Sequence, residues 1–117
     1  MPERDPQDLL PLTPPVFHIL LALGTESMHG YAIMQELERR TGGRATLLPG
    51  SLYATIARMV SDGLLEEVAL RREAVEDRRR RVYRLTRFGR AVATAEAARM
   101  GRLVKLAREQ DLLRGTT

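Results

Sequence analysis

Leu52, Ile56, Met59 and Val60 recur at helical spacing and put one apolar stripe on a helix that begins near Pro49. Proline suits a first helical position, and Gly63 suits the C-terminal cap. Ser51, Ala54 and Arg58 fall on the other side, with Tyr53 and Thr55 flanking them. Small side chains therefore mark the start of that outer face, and one arginine follows a turn later. Small residues let a helix sit deep in a DNA major groove. There an arginine reaches guanine O6 and N7, and Ala or Thr meets a thymine methyl. The same pattern also fits an ordinary amphipathic helix with a solvent face. The neighbouring elements bear on the choice.

Upstream, three prolines and several charges mark residues 1–12 as a mobile N-terminal arm. Thr13, Pro14 and Pro15 then read as a helix start, a capping hydroxyl followed by proline. Val16, Phe17, Ile19, Leu20, Leu21 and Leu23 follow almost without interruption, so this helix is apolar on more than one side. Burial that complete points to a partner subunit. His18 lies inside it and reads as a packing or interface residue, because no second metal ligand sits at useful spacing. Gly24 to Ser27 break the helix, and Ser27 is placed to cap the next. The second helix carries Ile33 and Leu37 on one face, with Met34 beside them, and ends at Thr41, Gly42 and Gly43. Residues 44–48 are a link with room for a brief strand at 45–47. Three helices joined by tight turns are the order of a helix-turn-helix core.

Downstream, residues 64–72 read as a strand of imperfect alternation, and Val82 to Thr86 as a second. The hairpin between them carries Arg78, Arg79, Arg80 and Arg81 at or near its tip. Beside a helix-turn-helix core, such a wing lays its arginines over a phosphate backbone. Four adjacent like charges repel, and an anionic partner relieves that. Thr86 is placed to cap a last helix through Phe88, Val92, Ala95, Met100, Leu103, Leu106 and Ala107. From Arg87 to Gln110 it spans about 36 Å at 1.5 Å per residue. A helix that long projects beyond a three-helix core, and its far apolar positions need another chain.

The 117 residues suffice for one small domain, and 44% hydrophobic content argues against disorder. Net charge is +4 and the pI is about 10.3, which fits a nucleic-acid partner without requiring one. With no cysteine there is neither disulfide nor thiolate metal site. No apolar run is long enough for a membrane helix, and the start lacks a signal-peptide core. A cytoplasmic location is the expectation. An enzyme is not expected. His18 and His29 lie in different helices with no acid–base or metal constellation around them, so neither a cofactor nor a metal site is assigned.

In this order and spacing, several motifs together resemble the PadR family of bacterial transcriptional regulators, in its small subclass with one C-terminal helix. They are His29-Gly30-Tyr31, Pro49-Gly50-Ser51-Leu52-Tyr53, Gly63-Leu64, the arginine-rich run into Val82-Tyr83-Arg84-Leu85-Thr86, and Gly89-Arg90. The match covers roughly residues 9–113. The resemblance implies a mainly α fold with a small β-hairpin, a winged helix-turn-helix plus a long C-terminal dimerisation helix. It implies a homodimer that represses transcription from a palindromic operator on double-stranded DNA. Many members release DNA when a small aromatic or drug-like effector binds. The chain has no tryptophan, so the tryptophan-lined drug pocket of some relatives does not carry over. Tyr31 and Tyr53 match family positions near DNA, where each either contacts a phosphate or packs.

The expected organisation is thus an arm at 1–12, a winged helix-turn-helix at 13–86 and a dimerisation helix at 87–114. The expected DNA-facing residues are Ser51, Tyr53, Ala54, Thr55, Arg58, Tyr31, Arg78, Arg79 and Arg80. The expected dimer contacts are Phe17, Leu21, Val92, Met100, Leu103 and Leu106. Phe17, Leu21, Met100 and Val104 border the expected effector pocket, because both helices carry surplus apolar surface. The competing reading is a winged-helix adaptor whose basic wing docks on an acidic protein, since fold does not fix function.

Overall fold

Why the chain folds as it does is clearest at helix ends, where single residues set the turns. The computed structural model describes residues 4–43, 49–68 and 81–113. Among these residues, four α-helices and three short strands follow in order: α1 (Pro14–Ala22), β1 (Met28–His29), α2 (Gly30–Thr41), α3 (Pro49–Ser61), β2 (Leu65–Glu67), β3 (Val82–Leu85) and α4 (Arg87–Glu109). Gly42 ends α2 at φ 61° and Gly63 ends α3 at φ 81°, both in the left-handed region that favours glycine. Thr86 caps α4 by accepting the Gly89 N–H at 2.8 Å. Thr13 occupies the cap position of α1 without making a side-chain capping bond. The link at 44–48, residues 69–72 of the expected first strand of the hairpin and Arg78 to Arg80 lie outside the described residues.

The strands form one antiparallel sheet in the order β1-β3-β2. Met28 faces Tyr83 and His29 faces Val82, while Leu65 faces Leu85 and Glu66 faces Arg84. β1 is a correction to the sequence reading, which gave Ser27 as the cap of α2. The sheet holds Met28 and His29 extended, so the helix starts later and His29 takes the cap position at φ −67° and ψ 152°. Two residues are too few to show alternation in a sequence. The Gly30 N–H then donates to the Arg81 carbonyl and ties α2 to the wing.

One core joins these elements. Ile19 and Leu20 of α1, with Leu23 at its C-cap, meet Ile33 and Leu37 of α2, then Leu52, Ile56 and Met59 of α3. Leu64, Leu65, Tyr83 and Val92 complete it. Each full burial of such an aliphatic side chain is worth roughly 1.5–3 kcal/mol over exposure. The stripe on α3 is therefore fixed inward, and its other side is left free.

Residues 4–12 are not a free arm. A 3-10 helix at Pro6–Leu9 packs on α4, and Leu9, Leu10 and Leu12 lie half-buried against the core. The Leu12 N–H donates to the Glu96 carboxylate at 2.8 Å. The Arg4 guanidinium lies 4.1 Å from the centroid of Phe88 and donates to the Asp62 carbonyl. Prolines and charges suggested mobility, but three leucines and a buried acceptor hold this segment down as a strap. It joins the end of α3 to the start and middle of α4.

Gly89 sets how closely α4 approaches. A Cβ on Gly89 would stand 1.9 Å from the Leu64 carbonyl oxygen. That oxygen accepts the Thr86 N–H at 3.1 Å, and the Thr86 hydroxyl reaches the Gly63 carbonyl at 2.5 Å. The last helix is thus clamped directly to the end of α3.

Candidate nucleic-acid interface

α3 presents the side of the molecule with the clearest chemistry. Leu52, Ile56 and Met59 are buried beneath it, while Ser51, Ala54 and Arg58 are exposed. This is the division expected from helical spacing. Arg58 makes no hydrogen bond or ion pair among the described residues. Thr55 is half-buried, and its hydroxyl donates back to the Ser51 carbonyl at 2.9 Å. Tyr53 is half-buried on the flank of the helix and packs against the core. Tyr31 is 46% exposed in the first turn of α2.

The base of the wing is organised by opposite charges. Arg84 donates to Glu66 across the β2–β3 pair at 2.6 Å, and Arg81 stands 3.7 Å from Glu67. On α2, Arg39 and Arg40 both bond to Glu36 at 2.8 Å. The Arg39 hydrogen bond leads the effects that hold the Glu36 carboxyl down at about 2, with Arg40 assisting and desolvation opposing. These arginines are engaged, whereas Arg58 is open to a partner.

The residues expected at a dimer contact separate into two sets. Leu103 and Leu106 on α4 and Leu21 on α1 are 50%, 54% and 42% exposed, and Phe17 and Met100 are half-buried. Val104, expected with Phe17, Leu21 and Met100 beside an effector, is also exposed on α4. Val92 is the exception, for it is wholly enclosed in the protomer's own core. It lies near the clamped start of α4, where that helix still packs on its own domain. Beyond Glu96 no described residue of α4 is fully buried.

Sequence reasoning passed over Glu96 itself. It is the one charged residue among the described residues that is fully buried. It accepts from the Leu12 N–H on one oxygen and from Arg99 Nε on the other. The Arg99 bond, with the Leu12 N–H assisting, holds its carboxyl below the usual range against the opposing effect of burial. A signal was present: a glutamate four residues after Val92 on the apolar stripe, with an arginine three residues further on. His18 is half-buried in α1, with Nδ1 enclosed and unbonded among the described residues. No group of three His, Asp or Glu residues among the described residues is placed to hold a metal. Among the described residues, no helix is long and apolar enough to cross a membrane.

A three-helix core, a small antiparallel sheet and an outward third helix define a winged helix-turn-helix protein. The chain belongs to the transcriptional regulator PadR-like family, whose model matches residues 19–95. It is 41% identical over 88 residues to transcriptional regulator Rv3488 of Mycobacterium tuberculosis, covering 75% of this chain and 77% of the relative. Its fold is similar to that of a PadR family transcription regulator from Clostridium difficile, with TM-score 0.67 and 21% identity over 81% of this chain and 95% of that one. It is also similar to RosR of H. salinarum, with TM-score 0.60 and 29% identity over 91% of this chain and all of that one.

Proposed function

We propose that this chain is a DNA-binding repressor that grips a palindromic operator as a homodimer. The observation that carries the reading is the outer side of α3. Small Ser51 and Ala54 stand beside an unengaged Arg58, directly opposite the buried stripe. In this reading α3 enters the major groove and Arg58 reads a guanine edge. Arg78, Arg79 and Arg80 meet phosphates on the wing, and Tyr31 stands at the edge of the contact. One module supplies few base contacts. Two modules about 34 Å apart meet successive major grooves on one DNA face.

The exposed leucines of α4 support the dimer. Leu103 and Leu106, with Leu21 of α1, leave an apolar surface that the protomer does not cover. A two-fold axis presents that same surface from each copy, which makes it self-complementary.

Selection of bound sites from random DNA tests the reading directly. Wild-type protein is expected to enrich a palindrome. Arg58→Ala is expected to lose about 1–3 kcal/mol at one base pair per half-site while keeping its contacts elsewhere. Equal losses on specific and random DNA would remove Arg58 from the groove. Binding to no DNA, with capture of an acidic protein instead, would favour the adaptor.

A further inference from the structure

Between the strap and the flank of α3 runs an open groove of about 540 Å³. Leu9, Leu12 and Val16 form one wall and Ala54, Thr55 and Met59 the other, and the exposed Arg58 and Asp62 complete the lining. The size falls within the range of small-molecule sites, roughly 300–1,000 Å³. Its strap wall is held at both ends. Glu96 fixes Leu12, and Arg4 is fixed by Phe88 and the Asp62 carbonyl. The cavity is therefore preformed within one protomer, and it is separate from the surface assigned above to the dimer.

Charge in the lining narrows the occupant. Arg58 lies in the last turn of α3 and Asp62 directly follows the helix, and both line the groove. No ion pair joins them, and neither side chain has another partner among the described residues. A ligand with a lone carboxylate meets repulsion from Asp62, and one with a lone amine meets repulsion from Arg58. Adjacent ammonium and carboxylate groups satisfy both. The apolar walls suit a hydrocarbon or aromatic body and offer little to a phosphate.

We propose that this groove binds a free α-amino acid with a large apolar side chain. Its carboxylate meets Arg58, its ammonium meets Asp62, and its side chain lies on Leu9, Leu12, Val16 and Met59. The regulatory consequence rests on the DNA reading above, because the ligand occupies the arginine assigned to a base. Amino acid and operator then compete for Arg58.

Calorimetric titration of the full chain without DNA tests the site. The probe is L-tryptophan, with indole-3-propionate and tryptamine as the single-charge comparators. L-tryptophan is expected to bind, and each comparator at least about tenfold more weakly, the effect of losing a charged hydrogen bond. Asp62→Asn keeps the carbonyl that Arg4 uses and is expected to weaken L-tryptophan by a similar factor. Leu12→Trp fills the groove and is expected to abolish binding while its circular dichroism stays native. Equal binding of all three probes, binding unchanged in Asp62→Asn, or none at millimolar concentration overturns the site. A second arm adds operator DNA. Release by L-tryptophan supports competition, and simultaneous binding of both overturns it while leaving the site intact. A failure of the DNA reading shows separately, as unaltered site selection by Arg58→Ala.

Discussion

Replacing Gly89 by alanine adds one methyl group where the backbone of another segment already stands. The new Cβ would lie 1.9 Å from the Leu64 oxygen, 2.9 Å from its carbonyl carbon and 3.2 Å from its Cα. Ordinary contact requires about 1.5 Å more separation from that oxygen. The obstacle is backbone, so no rotamer change relieves it. Either α4 lifts or the turn after α3 moves. Overpacking of this kind costs about 1–3 kcal/mol. Displacing the Leu64 oxygen also weakens its bond from the Thr86 N–H, a further 0.5–1.5 kcal/mol or so. The expected loss is therefore about 2–4 kcal/mol, and Tm falls by on the order of 10 °C. Gly101→Ala makes the same chemical change in the same helix, where a Cβ meets nothing within 4 Å. There the gain in helix propensity should stabilise by up to about 1 kcal/mol. Urea unfolding of both variants, followed by circular dichroism, measures the difference in sign. If Gly89→Ala unfolds within about 0.5 kcal/mol of wild type, the close packing of α4 on Leu64 is not what holds the two together.

Three further outcomes follow from other parts of the molecule. Leu103→Asp puts a carboxylate on the exposed apolar side of α4, at a cost of several kcal/mol if the surface is buried between copies; light scattering should report a monomer, and a dimer of wild-type strength would refute the contact. Glu96→Ala removes the acceptor of the Leu12 N–H and should cost about 1–3 kcal/mol, with faster amide exchange at Leu9, Leu10 and Leu12; unchanged exchange there would show that the leucines alone hold the strap. The Glu96 carboxyl is held below its ordinary value of 4.5 in the folded protein, first by Arg99. Its contribution is thus complete above that pH and is lost as pH falls through the folded value. Tm should decline below about pH 4.5, and Glu96→Gln should flatten that decline.

Much of this architecture was legible because the helices carry strong periodic patterns and glycine ends. The stripe through Leu52, Ile56 and Met59 gave α3 its inward side, and Gly42 and Gly63 gave the turns. What escaped depends on contacts between distant segments. β1 has two residues, and pairing with Tyr83 and Val82 makes it a strand, with no pattern of its own. The strap looked mobile because its own composition is polar. Its partners, Glu96, Phe88 and Asp62, lie far along the sequence. Val92 looked like part of the surplus apolar surface of α4, but the closeness allowed by Gly89 draws that end of the helix into the core. At the site, the outward side of α3 was readable from spacing. The groove beside it was not, since its second wall is the strap.

The bond from the Leu12 N–H to Glu96 spans 84 positions of sequence, and that distance has a consequence for biosynthesis. At about 5–20 residues per second, several seconds pass between synthesis of the two partners. During that interval Leu9, Leu10 and Leu12 have no helix to cover them, because α4 does not yet exist. A nascent chain halted before Glu96 therefore displays an uncovered leucine cluster, the kind of surface that chaperones hold and proteases find. Completion of α4 removes the cluster from view.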